Sequence, residues 1–326
     1  MPLSCPFCLS REVLEVLQVK EMTKGTRELF DYSVCARCGS LYICRFPDDI
    51  ARYYEGYYSL AGGVAPLEKS AIRKALVAIY SVFMVRSGLS ALVGPAFRNP
   101  SAWQMKFISP NLQALLFAGA RAADRILDVG CGRGQFVEVM NRFGYANATG
   151  IDPFLNDRDE RERVRRSDIR AVSGTYHLVL FNHSLEHMTG PEAAIGECAR
   201  ILAPGGLVLV QVPNVGSREF TRFKQHWCWL HAPYHFAIPS RNGIETMAGR
   251  CGFKVVDAIC TSRADHYLYS DEYARDIPDC DPGSARRALE AGSFDKGRFR
   301  ALARLAYSLN KRGSGDWICY YLRKSG

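Results

Sequence analysis

Four cysteines near the start of the chain stand as two pairs, Cys5-Pro-Phe-Cys8 and Cys35-Ala-Arg-Cys38, with 26 residues between the pairs. A Cys-x-x-Cys pair places two thiolates on one turn, and two such pairs complete a tetrahedral sulfur site that favours zinc. With all four positions filled by protein, the ion would be structural. A redox role for one pair leaves the other unexplained. A different chemistry is written in residues 125–140, RILDVGCGRGQFVEVM. Ile126–Val129 is a short apolar run suited to a buried parallel strand. Gly130, Cys131, Gly132 and Gly134 then make a tight turn, and Phe136, Val137, Val139 and Met140 open a helical pattern. Glycine lets the backbone pass close under a ligand, and the next helix aims free N–H groups and its positive end at the same place. Asp152 closes the next apolar stretch, near the ~20-residue offset at which an acidic side chain binds a ribose. The turn lacks the Gly-x-x-Gly end of the pyrophosphate fingerprint, which argues against NAD or FAD as the nucleoside ligand.

Histidines supply the third set. His183-Ser-Leu-Glu186-His187 spells the inverted zinc-peptidase signature, but it follows directly on an apolar strand, whereas that chemistry needs both histidines on one face of a long helix. Further on, HWCWLHAPYHFAIPS places His231 and His235 four apart around Pro233, which predicts a loop. A histidine of near-neutral pKa can take the proton from a substrate hydroxyl. His235 first, then His231, are the candidate catalytic bases; each alone could equally be a hydrogen-bonded loop residue.

The elements that must position these residues follow from periodicity. Strands are predicted at 126–129, 148–152, near Asp168, and at 177–181, 207–212, 253–260 and 317–322. Helices are predicted at 192–202 and 285–311. Strands alternating with helices at this spacing specify an α/β fold, a doubly wound parallel sheet. VLEVLQVK and RELFDYSV between the cysteine pairs read as ribbon strands. The expected organisation is a zinc ribbon at 1–45, a helical linker or cap at 46–110, and the α/β domain at 111–326 with a substrate-covering insertion at about 261–315. Tyr53, Tyr54, Tyr57 and Tyr58 fall at i, i+1, i+4, i+5, so one helix face carries rings that pack on the α/β domain or line a substrate cleft.

LDVGCGRGQF, GIDP, YHLVLFNHSLEHM and LAPGGLVLVQVPN resemble the successive motifs of class I S-adenosylmethionine-dependent methyltransferases, over roughly residues 110–260. The resemblance implies a Rossmann-like fold, with Gly130, Cys131 and Gly132 beside the methionine portion of the cofactor and Asp152 on its ribose. It places Asp168 at the adenine amino group, and Asp128, Gly134, Gln135, Pro153, Asn182 and His183 around the cofactor. His177 stands where the family usually has Asp. In some quinone-pathway relatives a Glu–His pair binds a divalent metal, which implies an optional metal at Glu186 and His187. The stretch CARCGSLYICRFPDDIARYYEGYYS further resembles zinc-ribbon methyltransferases of bacterial sugar, polysaccharide and natural-product pathways.

Composition bounds the partners. Lys and Arg exceed Asp and Glu by nine, while 48% hydrophobic and 23% charged residues are ordinary globular values. The excess is scattered, and the ribbon is not notably basic, with Lys20, Lys24 and Arg27 against Glu12, Glu15, Glu21, Glu28 and Asp31. A nucleic-acid substrate is therefore the alternative to a sugar, glycan precursor or related small metabolite, and a noncatalytic scaffold is a third class. The apolar runs within 70–98, flanked by Arg73, Lys74 and Arg86, are too short to span a bilayer but could touch a membrane surface. MPLSCPFC shows no secretory pattern, so the twelve cysteines predict a reducing cytoplasm. Oligomeric state is not written in the sequence.

Overall fold

A computed structural model of the chain describes residues 4–54, 98 and 109–325. Of the helical linker or cap expected at 46–110, only 46–54, 98, 109 and 110 are described; the membrane-touching run at 70–98, apart from 98, lies outside the described residues, as do Tyr57 and Tyr58. The chain begins with β1 (Val13–Lys20), β2 (Leu29–Cys35), β3 (Leu41–Ile43) and the single-turn helix α1 (Ala51–Tyr54). After α2 (Pro110–Phe117) come β4 (Ile126–Val129), α3 (Gln135–Arg142), β5 (Ala148–Ile151), β6 (Val164–Arg165) and β7 (Tyr176–Asn182). Next are α4 (Pro191–Ile201), β8 (Leu202–Pro213), α5 (Arg218–Phe223), β9 (Ala237–Ile238), α6 (Arg241–Arg250) and β10 (Phe253–Cys260). Three helices, α7 (Asp265–Ala274), α8 (Ala285–Ala291) and α9 (Lys296–Lys311), precede β11 (Trp317–Lys324).

Seven strands form one sheet in the order β10-β11-β8-β7-β4-β5-β6. β4 pairs in parallel with both β5 and β7, and those with β6 and β8; β11 runs antiparallel between β8 and β10. All four residues of β4 are buried, as a parallel strand covered on both faces requires. Alternate residues divide between two cores. Leu127, Val129, Val179 and Phe181 meet Ile195 of α4 and Met247 of α6, while Ile126, Leu178 and Leu180 meet Leu115 of α2 and Met140 of α3. Winding reverses between β4 and β7, so a ligand belongs in the crevice past their carboxyl ends.

The ribbon is not a separate bead. Its sheet has the order β1-β2-β3-β9, and β9 comes from the loop that carries the histidines. Leu41 pairs with Ile238 and Tyr42 with Ala237. Cys5, Phe7, Cys8, Cys35 and Cys38 belong to the same apolar cluster as one face of the large sheet.

Two sequence expectations fail for local reasons. The third strand is only Val164–Arg165, and Asp168 instead caps a 3-10 turn over Ile169–Ala171. Within 158–166 only Val164 is apolar, so one side chain is all this stretch can give the core. The single helix expected over 285–311 is two. Gly292 ends α8 in the left-handed region (φ +70°), and Asp295 caps α9 by accepting from Gly297 N and Arg298 N.

Gly243 in α6 marks the seam between ribbon and α/β unit. A Cβ there would strike Ser40 Oγ and lie 3.2 Å from Phe7 Cβ. Alanine is ordinarily worth ~1 kcal/mol over glycine within a helix. Overpacking costs ~1–3 kcal/mol and should win, so Gly243→Ala is expected to lower the urea midpoint at unchanged slope. A raised midpoint would mean that the seam yields freely.

Candidate active site

The turn after β4 has the backbone its glycines were expected to supply: Gly130, Gly132 and Gly134 have φ of +74°, +52° and +74°. The reason for lacking a side chain is internal at two of them. A Cβ on Gly130 would sit 2.5 Å from Ser184 Cβ, and one on Gly134 would strike Val164. Ser184 Oγ donates to Val129 O at 2.6 Å, tying the end of β4 to the turn after β7. Cys131 packs its sulfur under Gly150, and burial pushes its thiol well up. Gln135 is exposed at the first position of α3.

Asp152 is buried where β5 ends, and it braces the turn: Oδ2 accepts from Gly132 N at 2.9 Å and Oδ1 from Phe154 N at 2.8 Å. Each oxygen keeps lone-pair capacity for a ribose hydroxyl. Pro153 is exposed beside it. Asp128 Oδ1 and Asn182 Oδ1, buried near the carboxyl ends of β4 and β7, have no hydrogen-bond partner among the described residues. Orphaned buried acceptors fit a ligand that brings donors. Asp168 is placed differently: both its oxygens engage Arg170, which holds its carboxyl below the usual range. An adenine contact there would compete with that pair.

Across the crevice, the 3-10 turn Leu185–His187 meets the turn before β9. Phe236 N donates to Glu186 O at 2.7 Å, and Glu186, His187 and His235 bring their ligand atoms within 4.8 Å of one another. His235 is 2% exposed and its Nδ1 lies 2.8 Å from Trp229 O. His187 Nδ1 lies 2.8 Å from Tyr234 O. Both imidazoles are held below their ordinary pKa, chiefly by burial. The near-neutral value expected of a base is therefore not what His235 has. His231 is not in the trio. Its backbone is left-handed, φ +43°, its carbonyl receives Tyr234 N, its ring stacks on Tyr234, and burial pulls its pKa down to about 3. His183 turns its Nδ1 to Glu186 Oε1 at 3.3 Å and its Nε2 to Gln211 Nε2 at 3.0 Å.

Several neighbours carried no sequence signal of their own. Trp317, the first residue of β11, has its ring centroid 4.3 Å from that of His183, and Trp229 stands 4.9 Å from Trp317. His266 of α7, within the expected insertion, completes this ring cluster at 4.4 Å from Trp317. Phe154 is 82% exposed beside Asp152, an apolar face at the rim of the crevice. Tyr53 is buried and Tyr54 half-buried, both edge-on to Tyr234.

The four cysteines converge as their spacing predicts. Cys5 and Cys38 sulfurs are 3.6 Å apart, Cys8 and Cys35 3.4 Å, and all four lie within 4.8 Å of one another. These are not disulfides. A tetrahedron on ~2.3 Å zinc–sulfur bonds has edges of about 3.8 Å, so the site fits structural zinc. Among the described residues no helix is long and apolar enough to cross a membrane.

The chain is similar in sequence to known methyltransferases. Residues 102–258 match a family model described as a methyltransferase domain. A ubiquinone biosynthesis O-methyltransferase of Maricaulis maris is 32% identical over 110 residues, covering 29% of this chain and 43% of that protein. A tRNA U34 carboxymethyltransferase of Trichlorobacter lovleyi is 27% identical over 180 residues, 51% of this chain and 54% of its own length. The chain thus spans about half the length of the curated relatives it matches. A solved S-adenosylmethionine-dependent methyltransferase of Archaeoglobus fulgidus is 17% identical, with a TM-score of 0.39 over 62% of this chain and 86% of that one.

Asp128 gives the site a pH signature. Burial first, then the nearby Asp152, push its carboxyl up to about 7, against ~3.9 in an unfolded chain. Between those values the folded state binds the extra proton, so its stability falls as pH rises and levels off above 7. Asp128→Asn is expected to abolish that loss, leaving the ligand-free chain roughly 2–4 kcal/mol more stable than wild type at pH 8 and little changed at pH 4. Urea titrations across this range check it; a difference independent of pH would contradict the raised carboxyl.

Proposed function

We propose that residues 102–258, which match a model described as a methyltransferase domain, act as a class I S-adenosylmethionine-dependent methyltransferase, and that the protein moves the cofactor's methyl group to an oxygen, rather than a carbon, of a small hydroxylated metabolite such as a sugar or glycan precursor. The observation that carries this reading is the Glu186–His187–His235 trio, set beyond the crevice whose glycine turn and Asp152 suit the cofactor. When bound, S-adenosylmethionine supplies an electrophilic methyl with its own leaving group. The chain then has two tasks, alignment and removal of one proton.

The residues divide those tasks. The 130–134 turn and Asp152 hold the nucleoside side, and the orphaned oxygens of Asp128 and Asn182 offer acceptors to the α-ammonium of the methionyl portion. His235 keeps its Nε2 lone pair because Nδ1 carries the proton that Trp229 O accepts. That makes it the group that activates the acceptor hydroxyl. His231, stacked on Tyr234 outside the trio, shapes the loop.

A second reading is favoured by one observation, the tRNA-modifying relative. Against it, ribbon cations face acidic partners: Lys20 and Arg27 both pair with Asp276, while Glu15 pairs with Lys224. RNA binding whose logarithm falls steeply with the logarithm of salt would favour that reading.

Calorimetry with S-adenosylmethionine is the first test. Wild type should bind, Asp152→Ala should bind more weakly, and Gly132→Arg, which fills the turn, should not bind. No heat from wild type at millimolar cofactor would sink the proposal. With an acceptor in hand, His235→Ala should cut turnover by roughly 10²–10⁴-fold at nearly unchanged cofactor affinity. Equal losses in His231→Ala would reassign the effect to loop structure.

A further inference from the structure

Part of the excess of nine positive charges gathers in one place once the chain folds. Residues 296–312 carry Lys296, Arg298, Arg300, Arg304, Lys311 and Arg312 and no acidic residue. All six are exposed, and among the described residues only Arg298 has a carboxylate partner, Asp271 of α7. The helix sorts its side chains by face. Phe299, Leu302, Leu305, Ala306 and Leu309 of α9 pack inward. At ~100° per residue, Lys296, Arg300, Arg304, Tyr307 and Lys311 fall within an arc of about 80° on the opposite side. They make a ridge roughly 22 Å long at ~1.5 Å per residue, and Lys311 Nζ lies 4.7 Å over the Tyr307 ring. The ridge continues onto α5. Arg218 N donates to Ser314 O, just past α9, at 3.1 Å. Arg218 and Arg222 are exposed one turn apart, while Glu219 between them is buried. α5 follows β8, whose carboxyl end shares its edge of the sheet with the crevice.

We propose that this ridge is a docking surface for RNA, held through the phosphodiester backbone without regard to base sequence. Like charges at i and i+4 repel along a helix, as Lys296, Arg300 and Arg304 do, and a polyanion relieves that repulsion. A nucleic-acid strand offers one phosphate per nucleotide to a linear row of cations. The arginine fork matches two phosphate oxygens, and a tyrosine set among the cations gives an unpaired base a ring to stack on. A lipid surface is the poorer fit. An interfacial helix turns its apolar side chains into the membrane, whereas α9 has spent its own inside the protein. The ribbon contributes little, because its Lys20, Arg27 and Arg52 are already paired with carboxylates. This contact goes beyond the methyl-transfer reading and does not depend on which hydroxyl the crevice methylates.

Fluorescence anisotropy of the full chain with a labelled mixed-sequence single strand of about 20 nucleotides tests the surface without turnover. Each phosphate contact adds about −0.7 to the slope of log affinity against log salt, so five contacts predict a slope near about −3.5. Replacing three cations together, Arg300→Gln, Arg304→Gln and Lys311→Gln, should flatten the slope by about 2. Affinity should then fall roughly 100-fold at ~0.1 M salt, with wild type and variant converging near ~1 M. These side chains are exposed and hold no ion pair among the described residues, so the melting temperature should not move, which checks the fold. Arg11→Gln with Arg45→Gln, both exposed on the ribbon, should leave binding within a factor of about two. No binding by wild type at ~50 mM salt would overturn the proposal, as would wild-type affinity in the triple variant or an equal loss in the ribbon pair. If phosphatidylserine vesicles bind in place of RNA, the partner is a membrane surface and the proposal falls. Calorimetry with S-adenosylmethionine is read separately on the same samples, so a failure of the methyl-transfer reading is distinguishable from a failure of this one.

Discussion

One short strand pairing ties the chain's two halves together. β3 of the ribbon and β9 of the histidine loop exchange backbone hydrogen bonds at Leu41–Ile238 and Tyr42–Ala237, and Ile43 N extends the ladder to Phe236 O. Tyr32, buried in β2, donates its hydroxyl to the carbonyl of His235 itself at 2.8 Å. Two residues of strand cannot order themselves in water, so β9 depends on β3. β3 in turn follows the second cysteine knuckle by two residues. Ser40 Oγ accepts from Ser240 N on the far side of the same seam. With each backbone hydrogen bond worth only ~0.5–1.5 kcal/mol net, the loop is held by their sum and by the packed cysteine cluster. The zinc ribbon thus acts on the crevice as a brace.

That brace explains why the histidines are dry and neutral. Trp229 and Tyr234 supply the carbonyls that fix the tautomers of His235 and His187, and both lie in the turn that β9 terminates. Burial disfavours the imidazolium, and mutual repulsion among His187, His231 and His235 adds to it. A solvated loop would have left these rings near neutrality, as sequence reasoning assumed. Packed rings instead make lone pairs that persist throughout the physiological range, suited to a proton delivered by the reaction.

Much of this was legible in the sequence because it rests on short-range spacing. The cysteine pairs, the glycine turn and the alternation of apolar runs each write their geometry into a few consecutive residues, and strand 253–260 needed no adjustment. The misses share a physical cause. Nothing in Asp168 says that Arg170, two residues on, takes both its oxygens. The helix at 285–311 hid its break because Gly292 and Asp295 interrupt a basic pattern without changing its polarity. Trp317 and His266 reach the crevice only through tertiary packing, β11 having been threaded between β8 and β10. The union of His235 with Glu186 depends on a contact between distant parts of the sequence, Phe236 N to Glu186 O, and no local signal encodes it.

The cysteine cluster and the trio differ in the chemistry of their donors. Four thiols at the ribbon are soft donors closing a complete tetrahedron, whereas the trio offers borderline nitrogen and hard oxygen with positions to spare. The first can hold a metal and do nothing else, which suits a brace. The second sits where a ligand of the sheet's carboxyl edge would arrive. β3 and β9 join the ribbon to the histidine loop through backbone pairing and through Leu41, Ile43 and Ile238 packed in one apolar cluster. Mechanical dependence of the crevice on the ribbon is therefore built in.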